Sequence, residues 1–206
     1  YTRSRTKPTM PNARPLLSAL LALALLAAPL ANAQTSERRT GERLAPPAAK
    51  ASAGYREIGW EDLLPQGWDP MAPFKGLDLA RLNDRDPRAI EAMEKLQAAW
   101  AEAPVEPALR GSKIRIPGFI IPLDRQGDLV SELLLVPYFG ACIHTPPPPA
   151  NQIIHVVLKK PISGLRMMDA YWINGTLDLA RGDTGLGVYG YRLKAEAMQP
   201  YVEKVK

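Results

Sequence analysis

Cys142, His144 and His155 are the only cysteine and the only histidines in 206 residues, and they fall within 14 consecutive positions. These are the side chains that hold soft or borderline metals or attack electrophiles near neutral pH. Cys142 and His144 are two apart, a spacing that lets both reach one ion from a turning segment, and His155 in the following apolar run can supply a third ligand. A mixed Cys/His set suits zinc or copper, and three protein ligands leave a position for solvent, a carboxylate or a partner. A second chemistry is covalent: a thiolate–imidazole pair of Cys142 and His144, with Asn151 orienting the imidazole. It ranks lower, because the segment reads as a loop and not as the helix N-terminus that would acidify a thiol. The third reading is packing. Cys142 would lie under the prolines at 146–149, the histidines would bond backbone groups, and Asn151 and Gln152 would close the turn. For His155 alone, between Ile154 and Val156, an inter-strand hydrogen bond is the simpler expectation.

The elements that must position these residues are mostly strands. After Glu106 the apolar pattern has period two, with runs at 113–123, 129–138, 152–158, 170–179 and 187–195. The first run is broken at Pro117-Gly118, the signal of a bulge or sharp bend, and Arg125-Gln126-Gly127-Asp128 reads as a hairpin turn. Alternation in the third run places Ile153, His155 and Val157 on one face and Ile154, Val156 and Leu158 on the other. Four prolines at 146–149 stiffen the approach to that run as polyproline II.

Upstream, Asp86-Pro87 predicts a helix N-terminus. Ile90, Met93, Leu96, Gln97 and Trp100 recur at helical spacing until Pro104 and predict one amphipathic helix whose apolar stripe packs on the core. Between Tyr55 and that helix, Trp60 and Trp68 stand among Pro65, Pro70 and Pro73, which predicts an irregular aromatic arm lying across the surface of the following domain. Residues 34–54 hold almost no large apolar side chain and read as a flexible linker.

Net charge is +5, but four of the basic residues (Arg3, Arg5, Lys7, Arg14) lie in the first 33 positions, which contain no acidic residue. The remainder is close to neutral, and the predicted binding strands lack aromatic pairs in a basic groove, so nucleic acid is not an expected partner. The basic flank, the apolar run at 16–30 and Ala31-Asn32-Ala33 read as an export signal cleaved after Ala33, which predicts a periplasmic protein. The apolar run is too short and too interrupted for a spanning helix, so an integral membrane protein is not expected. No phosphate-cradling glycine loop, paired acid/base carboxylates or hydrolase elbow is visible.

Five strands with a bent first member and no βαβ signal predict a small antiparallel barrel. Its order and the Asn174-Gly175-Thr176-Leu177 segment resemble the OB-fold in architecture. Three stretches carry a more specific resemblance: Ile116-Pro117-Gly118-Phe119-Ile120-Ile121-Pro122-Leu123, the run at 138–152 with Cys142, His144 and the four prolines, and Tyr171-Trp172-Ile173-Asn174-Gly175-Thr176-Leu177. Together they resemble a bacterial exported family known as domain of unknown function three-two-nine-nine, from about Tyr55 to the C-terminus. The resemblance implies periplasmic or lipid-anchored members found beside genes for export-type transporters and metal supply, with no established activity. The residue just after the predicted cleavage site is Gln34 and not cysteine, so lipid anchoring is not expected here.

The expected organisation is a signal peptide at 1–33, a linker at 34–54, an aromatic arm and helix at 55–105, and an OB-like β-barrel domain at 106–206. The expected function is a non-catalytic metal-binding accessory or carrier acting with an envelope transporter component. A thiol-dependent enzyme and a metal-free adaptor docking through the aromatic arm are the alternatives.

Overall fold

The computed structural model describes residues 38–45, 54–72, 75 and 86–202; the predicted signal at 1–33 and most of the predicted linker lie outside them. The period-two runs form β2 (Lys113–Gln126), β3 (Leu129–Val136), β4 (Ile154–Ile162), β5 (Ala170–Asp183) and β6 (Val188–Pro200), preceded by the two-residue β1 (Arg56–Glu57). Hydrogen bonding runs in the order β1-β2-β3-β4-β6-β5, and β5 returns to β2, which closes β2 to β6 into a barrel.

The barrel is mixed, not purely antiparallel as expected. β4 and β6 run parallel from Ile154↔Tyr191 to Leu158↔Ala195, whereas the other four contacts around the ring are antiparallel. Parity requires this: strand directions cannot alternate all the way round a closed ring with an odd number of members.

β2 serves two neighbours in turn. Its first half pairs with β5 and its second half with β3, and Phe119 is matched to Ala170 on one side and Val136 on the other. The bend that permits this lies at Pro117-Gly118. A Cβ on Gly118 would come within 2.7 Å of Leu135 Cγ and 2.9 Å of the Trp60 ring, so only glycine lets both side chains close over the strand.

The alternation sorts side chains as the pattern predicts. Ile114, Ile116, Leu133, Leu135, Ile154, Val156, Ile173 and Leu193 fill the barrel. Phe119, Ile121, Leu134, Val136, Ile153 and Tyr189 form a second buried cluster on the opposite face.

The first part of the aromatic arm goes deeper than a surface position: it enters the core, while Trp68 is half-buried and Met71 is exposed. Ile58, Trp60 and Leu63 are 1 %, 8 % and 0 % exposed and join the barrel interior. Trp60 Nε1 donates to Pro117 O at 2.7 Å and Trp60 O accepts from Gln152 Nε2 at 2.8 Å. The Tyr191 hydroxyl donates to Leu63 O at 2.7 Å and accepts from Glu106 N at 2.6 Å. With its polar atoms paired inside, a large aromatic side chain is more favourable buried than exposed.

The predicted helix is α1 (Pro87–Ala101), with Asp86 Oδ1 accepting from Arg88 N at the N-terminus. Its stripe packs only in part. Leu96 and Ala92 are buried, while Ile90 and Met93 are 49 % and 42 % exposed. Trp100 Nε1 donates to Pro70 O, and the Arg181 guanidinium donates to the carbonyls of Ala101 and Ala103, holding the C-terminal end of α1 to the barrel. Among the described residues no helix is long and apolar enough to cross a membrane.

Candidate functional site

Beyond β3 the chain folds back on one carbonyl. Gly140 O accepts from the backbone N–H of Ile143 at 3.2 Å, His144 at 2.8 Å and Thr145 at 3.3 Å, and from the Thr145 hydroxyl at 3.4 Å. Gly140 supplies a left-handed φ of 86°, and Cys142 adopts φ 62°, a conformation that a side chain with a Cβ rarely takes. Ala141, with no exposed surface, pins the turn to the outer cluster. The prolines at 146–149 then lead into a 3-10 turn, Ala150–Gln152, that delivers the chain to β4.

Within this turn Cys142 and His144 have different surroundings. Cys142 is half-buried, and burial pushes its thiol up to about 11. Its sulfur lies under Gly187: a Cβ there would be 3.6 Å from Sγ, 3.1 Å from Pro147 Cβ and 2.9 Å from Ile153 Cδ1. His144 is exposed.

His155 does not join them. It sits on the face predicted for it, one strand step beyond Ile153, at 6 % exposure. Its Nε2 is 2.7 Å from Glu132 Oε2, and Arg192 Nε donates to its Nδ1 at 3.3 Å. A guanidinium can only donate, so Nδ1 is the acceptor and Nε2 carries the proton given to Glu132. Tyr189 covers the ring at 4.8 Å between centroids, and its hydroxyl accepts from Arg192 Nη2 at 3.1 Å. Among the described residues no group of three or more His, Cys, Asp and Glu side chains is placed to hold an ion.

The family model described as "Protein of unknown function (DUF3299)" matches residues 60–200. The chain belongs to the DUF3299 family. A crystal structure of a DUF3299 family protein from Pseudomonas aeruginosa PAO1 is similar to it at 34 % sequence identity and a TM-score of 0.54, over 73 % of this chain and 99 % of that one. No curated protein matches it at a significant level.

In this DUF3299 chain Asn151 is fully buried, and its Nδ2 donates to Pro104 O at 2.8 Å, tying the 3-10 turn to the segment after α1. Its Oδ1 has no hydrogen-bond partner among the described residues. The two adjacent methionines lie in the turn before β5 and not on a strand as expected: Met167 is exposed, and Met168 is buried at a left-handed φ of 66°; Met168 Sδ accepts from Gly140 N at 3.3 Å. A groove of about 220 Å³ runs beside the turn, between the end of α1 and the proline run, with Trp100, Pro147, Pro148, Leu186 and Val188 in its walls. Sequence reasoning missed Glu132, Arg192 and Tyr189, the partners of His155. Their only signal was position: they stand on the strands flanking β4, and a buried imidazole on a strand needs such partners.

Proposed function

We propose that this chain is an exported, periplasmic metal-binding accessory in which an OB-like barrel carries Cys142 and His144 on one rigid turn. The observation that carries the reading is the left-handed Cys142 at φ 62°, in a turn where three successive N–H groups converge on Gly140 O. Residues held in sparsely populated backbone regions concentrate at functional sites, where the surrounding structure fixes them for use. The thiolate is a soft donor and the imidazole a borderline one, which suits copper or zinc. With His155 held by Glu132 and Arg192, the turn offers two protein donors and leaves the remaining positions to solvent or to a partner. That incompleteness suits a carrier that hands its ion to an envelope transporter component.

The thiol must lose its proton to ligate, and burial holds that proton to about 11. Metal affinity therefore falls as pH drops. The same burial gives a thiol-dependent enzyme less support, because it leaves the nucleophile protonated near neutral pH. An adaptor docking through the aromatic arm also has less support, since Trp60 is buried.

The test is competitive titration of Zn(II) and Cu(I) against a chelator, on untagged wild type, Cys142→Ser, His144→Ala and His155→Ala. Binding that is lost in the first two variants and kept in the third is expected. No binding by the wild type overturns the proposal.

A further inference from the structure

Residues 38–45 fall in the stretch whose composition reads as a linker, yet they lie against the chain at 138–140. Gly41 N donates to Phe139 O and Phe139 N donates to Glu42 O, each at 2.9 Å, and Arg43 and Tyr138 form an antiparallel bridge. The Arg38 guanidinium stands 5.5 Å from the Phe119 ring centre, and Arg43 stands 5.5 Å from that of Tyr138. Leu44 packs on the outer apolar cluster that Cys142 also touches. Thr40 rests on Gly140: a Cβ on that glycine would be 3.0 Å from Thr40 Cγ2 and 3.6 Å from His144 Cβ.

The segment therefore holds the turn at its hinge. Both backbone groups of Phe139 are occupied by it, and the next residue, Gly140, is the one whose carbonyl gathers the N–H groups of Ile143, His144 and Thr145. Its own grip is slight. Leu44 is its one large apolar side chain, and Gly41 and Arg43 are exposed, the character of segments that open locally at low cost.

We infer that residues 38–45 form a displaceable strap that braces the Cys142–His144 turn at Phe139 and Gly140, and that its release loosens the turn and so frees Cys142 from its cover. This rests on the turn being the working site named above and adds what controls its conformation.

The experiment uses Gly41→Pro in the full chain. Gly41 has φ 87°, which the proline ring cannot adopt, so the substitution removes the donor to Phe139 and opens the Arg39–Glu42 turn, releasing the segment while the residues of the 140–145 turn stay unchanged. Two rates are read at one pH: alkylation of Cys142 by iodoacetamide, and tryptic cleavage after Arg38, Arg39 and Arg43. Both are expected to rise, alkylation by about tenfold or more, the factor that corresponds to about 1.4 kcal/mol of lost anchoring. Arg43→Ala, read by alkylation and by cleavage after Arg38 and Arg39 alone, is expected to move both rates in the same direction by less. Faster cleavage with unchanged alkylation would overturn the inference, because the strap would then open without loosening the turn. Unchanged cleavage would overturn it as well, because the contacts named would not be what holds the segment. Neither rate depends on a metal, so a wild type that binds no zinc or copper removes the proposed function and leaves this result standing.

Discussion

Glu132 on β3 and His155 on β4 are joined across the strands by an Nε2–H that reaches the carboxylate at 2.7 Å. Arg192 occupies the other ring nitrogen, so the imidazole has no lone pair left for a metal. His155→Ala is therefore expected to leave zinc and copper affinity unchanged. It should lower stability by about 1–3 kcal/mol, because Arg192 and Glu132 lose a buried partner. Urea unfolding alongside the metal titration checks both halves. A lost metal site in a variant of unchanged stability would return His155 to the ligand set.

The Cys142 thiol gives a prediction in pH. Burial raises it from the ordinary 9.0 to about 11, so the folded state holds the proton more tightly than the unfolded chain. Its contribution to stability is complete below pH 9 and is lost as pH rises from 9 through about 11. Only the thiolate alkylates, so the rate in the metal-free protein should climb about tenfold per pH unit through pH 8 to 10. A plateau beginning near pH 9 would show a thiol that burial does not shift.

Much of the barrel was legible because alternation decides which face a residue takes, and burial rewards one face. Ile154, Val156 and Leu158 turn into the barrel and His155 to the opposite face, which is buried as well, as the period requires. Strand direction was not legible in the same way, since a period-two pattern reads alike in a parallel and an antiparallel pair. The count of five nevertheless held the answer, because an odd closed ring must contain a parallel step, here β4 with β6. The strap was hidden for another reason. Its attachment rests on the backbone of Phe139 and on two guanidiniums over aromatic rings, none of which raises hydrophobicity. Glu132, Arg192 and Tyr189 were hidden by distance along the chain, and so were Pro117 O and Gln152, the polar partners that let Trp60 lie in the core.

The burial of Trp60 has a measurable consequence. Trp60→Ala removes a ring from the barrel interior and is expected to cost about 3–5 kcal/mol. Tyr191→Phe keeps the ring but leaves Leu63 O and Glu106 N without the hydroxyl between them, at a cost of about 1–3 kcal/mol. Denaturant midpoints separate the two. Wild-type stability in Trp60→Ala would place the arm outside the core.

The left-handed Cys142 allows the strain to be separated from the sulfur. Cys142→Ala and Cys142→Gly both remove the thiol and with it the proposed metal donor, so neither should bind zinc or copper. They differ only in a Cβ, which at φ 62° sits against the following carbonyl. Glycine has no such contact, so the glycine variant should be the more stable by about 1 kcal/mol, set against the extra entropy that glycine loses on folding. A glycine variant more stable than alanine, with metal binding lost in both, is the expected signature of a backbone held out of its preferred region to present a ligand. Alanine equal to or above glycine in urea unfolding would mean that Cys142 relaxes to an ordinary conformation in solution, and the main support for the metal reading would fall with it.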